Sequence, residues 1–154
     1  MTNPLRIIIV GASGKMGQAL INEISKDPEL LLTGAIDQSS STDLGMDAGA
    51  LFGIKTDVII NDDFESTIKT GDYVIDFTRP EASMEYLEGC IKNNIKYVLG
   101  TTGFSDEEKE KISLASKDIS ICFAPNMSVG VNLLVSLVEA ATLVLHKDYD
   151  MEVI

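Results

Sequence analysis

Apolar residues along the chain alternate between strand-like and helix-like spacing. An aliphatic, largely β-branched run fills 5–10 and ends at Gly11, which predicts a buried strand. Apolar residues then recur at helical spacing up to Ile24, before Asp27 and Pro28 close the segment. The chain therefore begins with a strand, a glycine turn and a helix.

The same alternation continues to the end of the chain. Further strands are predicted over 30–37, 58–60, 73–77, 96–99 and 119–123. Helical segments are predicted over 64–69, from Pro80 (burying Met84, Leu87, Cys90 and Ile91), from a Ser105 and Glu108 capping box, and from Ser128 to about Leu145. A polar stretch over 38–53 with three glycines is predicted to be a loop. Strands separated by helices predict an α/β fold, with a mostly parallel sheet covered on both faces.

The last predicted helix differs from the others because it is apolar nearly all round, so we expect it to be buried. It is too short and too polar for a membrane span. The only domain boundary that we predict falls near Met127, between a domain over 1–127 and a segment over 128–154. The strand-like run at 150–154 would have no partner after it, and complete proteins usually cover such an edge. We therefore expect a chain that stops at the start of a second α+β domain.

The composition limits the classes of partner that the protein is expected to bind. The 154 residues carry a formal net charge of -12, and an acidic protein repels phosphate backbones and anionic membrane surfaces. We therefore expect neither nucleic acid nor membrane as a partner. The two cysteines, Cys90 and Cys122, lack paired spacing and lie in apolar runs, which favours reduced, buried thiols. No secretory signal is visible, so we expect a cytoplasmic protein.

The sharpest motif is a glycine loop directly after the first strand. Gly11, Gly14 and Gly17 are spaced G-x-x-G-x-x-G and open the first helix. The first glycine allows a tight turn, the second lets the backbone approach a pyrophosphate, and the third lets helix and strand pack closely. The helix N-terminus offers free N–H groups to phosphates. This pattern favours a Rossmann-type, doubly wound dinucleotide-binding domain over an ordinary glycine turn.

A carboxylate supports the same interpretation. Asp37 follows the second strand, twenty residues after Gly17, where an acid would accept hydrogen bonds from an adenosine ribose. Lys15 either reaches a phosphate or is a solvated first-turn lysine, and the sequence leaves both open. No Walker-type Gly-Lys-Ser/Thr follows at the required spacing.

Other strand ends carry polar residues that would meet at the same edge of the sheet. They are the segments 76–80, 100–104 and 124–127. Two hydroxyls between glycines at 100–103 suit hydrogen bonding to a planar polar ring, although a simple turn before the Ser105 helix is the alternative. His146, at the end of the last helix, is interpreted as a dipole partner or surface residue.

Taken together, the segments 10–17, 74–81, 100–104 and 124–132 resemble the 4-hydroxy-tetrahydrodipicolinate reductases, also called dihydrodipicolinate reductases. The resemblance covers the whole chain and matches that family's N-terminal domain. It implies reduction of a cyclic dicarboxylate with NADH or NADPH on the diaminopimelate route to lysine. It implies cofactor contacts at Gly11, Ala12, Ser13, Gly14, Lys15, Met16, Asp37, Gly100, Thr101, Thr102, Ala124, Pro125, Asn126 and Met127, with Thr102 facing the substrate. We expect no metal site.

Two departures from the family pattern matter. Many relatives carry arginine directly after the ribose acid, where it can meet a 2′-phosphate, whereas this chain has Gln38; NADH is therefore favoured. Relatives also continue into a histidine-rich stretch with a lysine that supplies the proton donor, so we expect the catalytic residues beyond Ile154 and assign none here. The resemblance implies a homo-oligomer, expected to be a tetramer, for the full-length protein. The alternatives are a non-catalytic dinucleotide-binding module and another Rossmann oxidoreductase, such as an amino-acid dehydrogenase.

Overall fold

A computed structural model of the chain describes residues 3–145, 149–150 and 152. The strands are β1 Leu5–Val10, β2 Leu30–Ile36, β3 Ile60–Asn61, β4 Tyr73–Asp76, β5 Lys96–Leu99 and β6 Ile121–Phe123. The helices are α1 Lys15–Ile24, α2 Phe64–Thr67, α3 Pro80–Asn93, α4 Asp106–Ala115 and α5 Val129–Leu145, with 3₁₀ turns at Ala50–Phe52 and Ile68–Thr70.

The six strands form one sheet in the order β3-β2-β1-β4-β5-β6, and every pair is parallel. The chain runs outward from β1 to β3 and then returns to the other side of β1 to continue through β4 to β6. The direction of winding therefore reverses between β1 and β4. In such sheets ligands bind outside the carboxyl ends of the strands at this reversal.

The central strand contributes to two separate cores because successive side chains of a strand point to opposite faces. Ile8 and Val10 lie in one buried cluster, with residues of α3 and α4. Ile7 and Ile9 lie in the other, with residues of α1. The expected sheet covered on both faces is confirmed.

Local signals place the helix ends. Pro80 is the first residue of α3, and Asn94, in the left-handed region with φ 54°, caps its C-terminus after Asn93. The predicted capping box before α4 is present, since Ser105 Oγ accepts from the Glu108 N–H at 3.2 Å and Glu108 Oε2 accepts from the Ser105 N–H at 2.7 Å. Pro80 and the Ser105 capping box thus mark where helices begin after the carboxyl ends of β4 and β5.

Several element boundaries differ from the sequence-based prediction. The third strand is Ile60–Asn61 rather than 58–60, and the predicted loop before it contains the turn Ala50–Phe52. β6 begins at Ile121 rather than at Ile119, which instead packs in the core. Cys90 is buried as expected, but Cys122 is exposed. It lies on β6, the outermost strand of the sheet that the described residues form.

The chain divides into two compact units, Met1–Ala124 and Pro125–Ile154. In the second unit, Ser128 Oγ accepts from the Val131 N–H at 3.4 Å, as a cap for α5. None of the residues of α5 is buried, so the predicted burial is wrong. No other described element of this unit packs on the helix. Of the earlier predictions, His146 and most of the strand at 150–154 lie outside the described residues.

No helix in the described part of the chain combines the length and apolar character that a membrane span requires.

Candidate functional site

The loop after β1 has the geometry that its glycines predict. Gly11 has φ 72°, in the left-handed region, and its carbonyl accepts from the Gly14 N–H at 3.0 Å. A Cβ atom on Gly17 would lie 2.2 Å from the Gly11 oxygen, so only glycine lets α1 pack this closely on the loop. Helix α1 begins at Lys15, and its first-turn N–H groups have no partners within the helix. The loop therefore presents backbone donors at a helix N-terminus, as a phosphate site requires.

Asp37 lies directly against this loop. Its Oδ2 accepts from the Ser13 N–H at 2.7 Å, and its Oδ1 accepts from the Gln38 N–H at 2.7 Å. Ser13 also meets Ser41 through their hydroxyls at 3.1 Å. The acid and the glycine loop, predicted separately from the sequence, therefore form one site. The role of Ser41 was not predicted, and no spacing rule would have found it.

A cleft of about 680 Å³ opens beside Asp37 and the glycine loop. It is lined by Gly11, Ser13, Gly14, Asp37, Gln38, Ser41, Phe77, Thr78, Arg79, Glu81, Ala82, Glu85 and Tyr86. A second cleft of about 770 Å³ shares Asp37, Gln38, Ala82, Glu85 and Tyr86 with it, and adds Asp62, Asp63, Glu65 and Glu88. We call the two together the acidic cleft, because carboxylates outnumber its cations, Arg79 and Lys92.

One face of α3 was missed by the sequence analysis. Ala82, Glu85, Tyr86 and Gly89 line the acidic cleft. Their spacing is helical and is displaced from the core face that was predicted, so it was a usable signal. The Tyr86 ring packs edge-on against Phe64, with 4.7 Å between ring centroids. Burial, followed by the charges of Asp76, Asp37 and Glu85, raises the pKa of Tyr86 to about 12.

The loop after β5 lies close to the loop after β4. A Cβ atom on Gly100 would lie 2.0 Å from Cε1 of Phe77, so Gly100 is required for this contact. Thr101 is buried and Thr102 is exposed. The hydroxyl of Thr101 is turned to the interior, where it donates to Asp76 at 3.3 Å. Of the two adjacent hydroxyls, only that of Thr102 is available to solvent or a ligand.

The remaining predicted residues follow β6. The Ala124 N–H donates to the Leu99 carbonyl at 3.2 Å, which places Ala124 at the carboxyl edge of the sheet. Pro125, Asn126 and Met127 belong to the second unit. There Asn126 Oδ1 accepts from the Ser128 N–H at 2.8 Å. The structure thus brings residues 11–16, Asp37, residues 100–102 and Ala124 to one edge of one sheet.

A parallel sheet wound in this order, with a glycine loop opening the first helix and an acid after the second strand, defines a Rossmann-type dinucleotide-binding domain. Comparison with known proteins narrows the class. The family model "Dihydrodipicolinate reductase, N-terminus" matches residues 5–127. The chain belongs to this family, as the resemblance predicted.

Individual relatives agree with the family assignment. The chain is 44% identical to a 4-hydroxy-tetrahydrodipicolinate reductase of Paraburkholderia phymatum, over 97% of this chain and 57% of that protein. It is 42% identical to one of Neisseria meningitidis, over 98% of this chain and 56% of that protein. A dipicolinate-bound dihydrodipicolinate reductase from Paenisporosarcina sp. TG-14 superposes with a TM-score of 0.71, at 27% identity, over 90% of this chain and 54% of that chain. The chain spans a little over half the length of these relatives.

Proposed function

We propose that this chain is the cofactor-binding part of a 4-hydroxy-tetrahydrodipicolinate reductase, which reduces its cyclic substrate to tetrahydrodipicolinate with NADH or NADPH. The observation that carries the proposal is the contact of Asp37 with the Ser13 N–H, at 2.7 Å. It joins the acid expected at the ribose to the loop expected at the pyrophosphate. Family membership supplies the substrate class.

The residues present fit a dinucleotide. Gly11 and Gly14 line the acidic cleft and carry no side chain that would fill it. Residues 11–16 would hold the pyrophosphate, with the first-turn N–H groups of α1 as its donors, and Asp37 would accept from the ribose hydroxyls. By resemblance, residues 100–102 and 124–127 would flank the nicotinamide, which supplies a hydride when bound. Lys15 is exposed, and we propose that its side chain contacts a phosphate.

We propose that NADH is the favoured cofactor. The 2′-phosphate of NADPH would add negative charge beside Asp37, and Gln38 offers no compensating cation. Glu85 and Asp62 line the same acidic cleft and add to the repulsion. Like charges that share a site disfavour binding unless a cation or a hydrogen-bond donor compensates.

The proposed substrate is a small cyclic dicarboxylate. Dipicolinate, itself such a compound, is bound to the relative from Paenisporosarcina. The exposed hydroxyl of Thr102 is the group in this chain that we propose to face it. We assign no catalytic acid within residues 1–154, and we propose that the whole protein is a cytoplasmic homo-oligomer, with a tetramer as the expected state.

A titration of the 154-residue chain with NADH tests the proposal. We expect the cofactor fluorescence to rise and then to saturate as NADH is added. An absence of binding by a sample that is shown to be folded would contradict the proposal. The same sample is expected to show no reductase turnover, because we assign no general acid within residues 1–154. General acid assistance alone contributes about a hundred- to ten-thousandfold in rate. Substantial turnover would mean that a residue within this chain supplies the proton.

A further inference from the structure

A buried aspartate lies behind the loops of the candidate site. Asp76 is the last residue of β4 and is 0% exposed. A carboxylate is costly to bury unless hydrogen bonds replace its lost hydration. The function proposed above gives it no contact with cofactor or substrate, so its presence needs another explanation.

Four donors surround this carboxylate. Oδ1 accepts from the Thr78 N–H at 2.7 Å, from the Thr78 hydroxyl at 2.7 Å and from the Thr101 hydroxyl at 3.3 Å, while Oδ2 accepts from the Tyr97 hydroxyl. Ser83 extends the cluster, because its hydroxyl donates to Thr101 Oγ1 at 3.0 Å. Its carbonyl accepts from the Tyr97 hydroxyl at 3.1 Å. The cluster therefore joins β4, α3 and β5.

These bonds fix side chains that touch the candidate site. The methyl group of Thr78 lies over the glycine loop, since a Cβ atom on Gly11 would lie 2.8 Å from Thr78 Cγ2. Asp76 holds both the N–H and the hydroxyl of Thr78, so it sets the position of that methyl group. Thr101 lies between Gly100 and Thr102 in the loop after β5. The hydrogen bond from its hydroxyl to Asp76 orients this loop from the protein interior.

Tyr97 completes the cluster from the neighbouring strand. Its side chain is 0% exposed and cannot touch a ligand in the cleft. Burial, and then the charge of Asp76, raise the pKa of Tyr97 above its ordinary value, so the hydroxyl remains a donor at physiological pH. Any effect of this hydroxyl on cofactor binding must therefore pass through Asp76 or Ser83.

We infer that Asp76 and Tyr97 are positioning residues, which hold Thr78 and Thr101 so that the loops after β1, β4 and β5 keep the spacing that a dinucleotide requires. The inference rests on the proposed cofactor function. In this arrangement the hydroxyls of Thr78 and Thr101 both donate to Asp76 and are not free to donate to a ligand. These two residues would then meet a cofactor through backbone groups or apolar contact, not as hydroxyl donors.

The variant Tyr97→Phe tests this in the 154-residue chain, because it removes one buried hydroxyl and keeps the ring. We expect NADH affinity to fall roughly three- to thirtyfold, the order of effect of mutations that act on a binding site without touching its ligand. The backbone amide resonances of Thr78 and Thr101 should shift in the cofactor-free protein. Tyr73→Phe is the matched control, since the Tyr73 hydroxyl accepts from the exposed Lys96 at 3.1 Å and lies outside the hydrogen bonds of Asp76, and this variant should leave both readouts unchanged.

A second control separates positioning from general destabilisation. Ile112→Val shortens a side chain in the same core cluster but outside the hydrogen bonds of Asp76. It should lower the melting temperature without changing NADH affinity. Unchanged affinity in Tyr97→Phe, or an equal loss in Ile112→Val, would overturn the inference while leaving the proposed function intact. Failure of the folded parent to bind NADH would instead count against the proposed function.

If Tyr97→Phe does not fold, Thr101→Val is the second variant, because it keeps the shape of the side chain and removes the hydroxyl that Asp76 accepts. It should weaken NADH binding and shift the backbone amide resonances of Thr78 and Thr102 in the cofactor-free protein. Unchanged affinity, or unchanged resonances, would overturn the inference.

Discussion

Asp37 and Asp76 lie at the carboxyl ends of β2 and β4, the two strands that flank β1. Asp37 is half-buried, lines the acidic cleft and accepts from two backbone N–H groups. Asp76 is fully buried and accepts from the Thr78 N–H and from the hydroxyls of Thr78, Thr101 and Tyr97. The same residue type at equivalent strand ends thus serves as a candidate ligand in one case and as a support in the other.

The difference follows from what covers each strand end. The chain leaves β2 into a polar loop that stays open to solvent, whereas α3 and β5 close over the end of β4. A carboxylate that keeps some solvent can exchange a water molecule for a ribose hydroxyl at small cost. A carboxylate without solvent cannot, because each lost partner leaves a buried group unsatisfied. Accessibility, more than residue type, therefore assigns the role.

The largest effect is expected at the solvent-accessible site formed by Asp37 and the glycine loop. Gly14→Val should abolish NADH binding, because a β-branched side chain would occupy the place proposed for the pyrophosphate. Even a Cβ atom there would lie 3.2 Å from the Gly11 oxygen. Fluorescence titration measures the loss. Gly130→Val is a matched control, since the nearest atom to its Cβ is Ser128 Oγ at 3.9 Å, and it should bind as the parent does.

Alanine at each aspartate tests the comparison directly. Asp76→Ala should lower the free energy of unfolding by more than about 3 kcal/mol, because it leaves several buried donors without a partner. Asp37→Ala should cost only about 1 kcal/mol, since water can replace its bonds, yet should strongly weaken NADH binding. Urea unfolding followed by circular dichroism measures the first quantity. Equal losses of stability would contradict the distinction.

The stability of the protein at alkaline pH tests the buried environment around Asp76, because the thiol of Cys90 lies in it. Burial, and then the charge of Asp76, raise the pKa of this thiol from an ordinary value of 9.0 to about 12. The folded state therefore holds its proton where the unfolded state loses it. The resulting stability is fully present below pH 9 and is lost as pH rises towards 12, by about 1.4 kcal/mol per pH unit.

Urea unfolding between pH 7 and about 11 would show this loss, and Cys90→Ala should remove its share of the slope. Cys122→Ala is the control, because that cysteine is exposed on β6. An identical pH dependence in the parent and in Cys90→Ala would show that the thiol is not the source of the loss.

The smallest expected effect concerns cofactor choice at the acidic cleft. Gln38→Arg should improve NADPH binding relative to NADH by about tenfold, or 1.4 kcal/mol, because an arginine fork pairs well with a phosphate. Ser40→Arg adds the same charge at a residue that does not line the acidic cleft, and should change the ratio less. Affinities for both cofactors must be measured at one salt concentration. If the parent chain binds NADPH at least about tenfold more tightly than NADH, the proposed roles of Asp37 and Gln38 are wrong.

Much of the fold could be predicted because its signals are local. The run before Gly11 forms β1, the glycine spacing forms the turn into α1, and Ser105 with Glu108 caps α4. The burial of α5 was predicted wrongly. An apolar composition indicates that a helix tends to be buried, but it does not identify the element that packs against it. The domain boundary near Met127 stays a prediction, and the contacts within the chain divide it after Ala124.

The sequence by itself determined the order of strands and helices, the glycine loop and the acid after β2, because each depends on residues near one another along the chain. Tertiary structure alone decided that Asp37 bonds to Ser13, that Tyr86 lines the acidic cleft, and that Asp76 receives the hydroxyls of Thr101 and Tyr97. These contacts join residues that are far apart in the chain and meet only when parallel strands align their carboxyl ends. Burial at that edge depends on which segments cover it, so a carboxylate's role there can be read only from the folded chain.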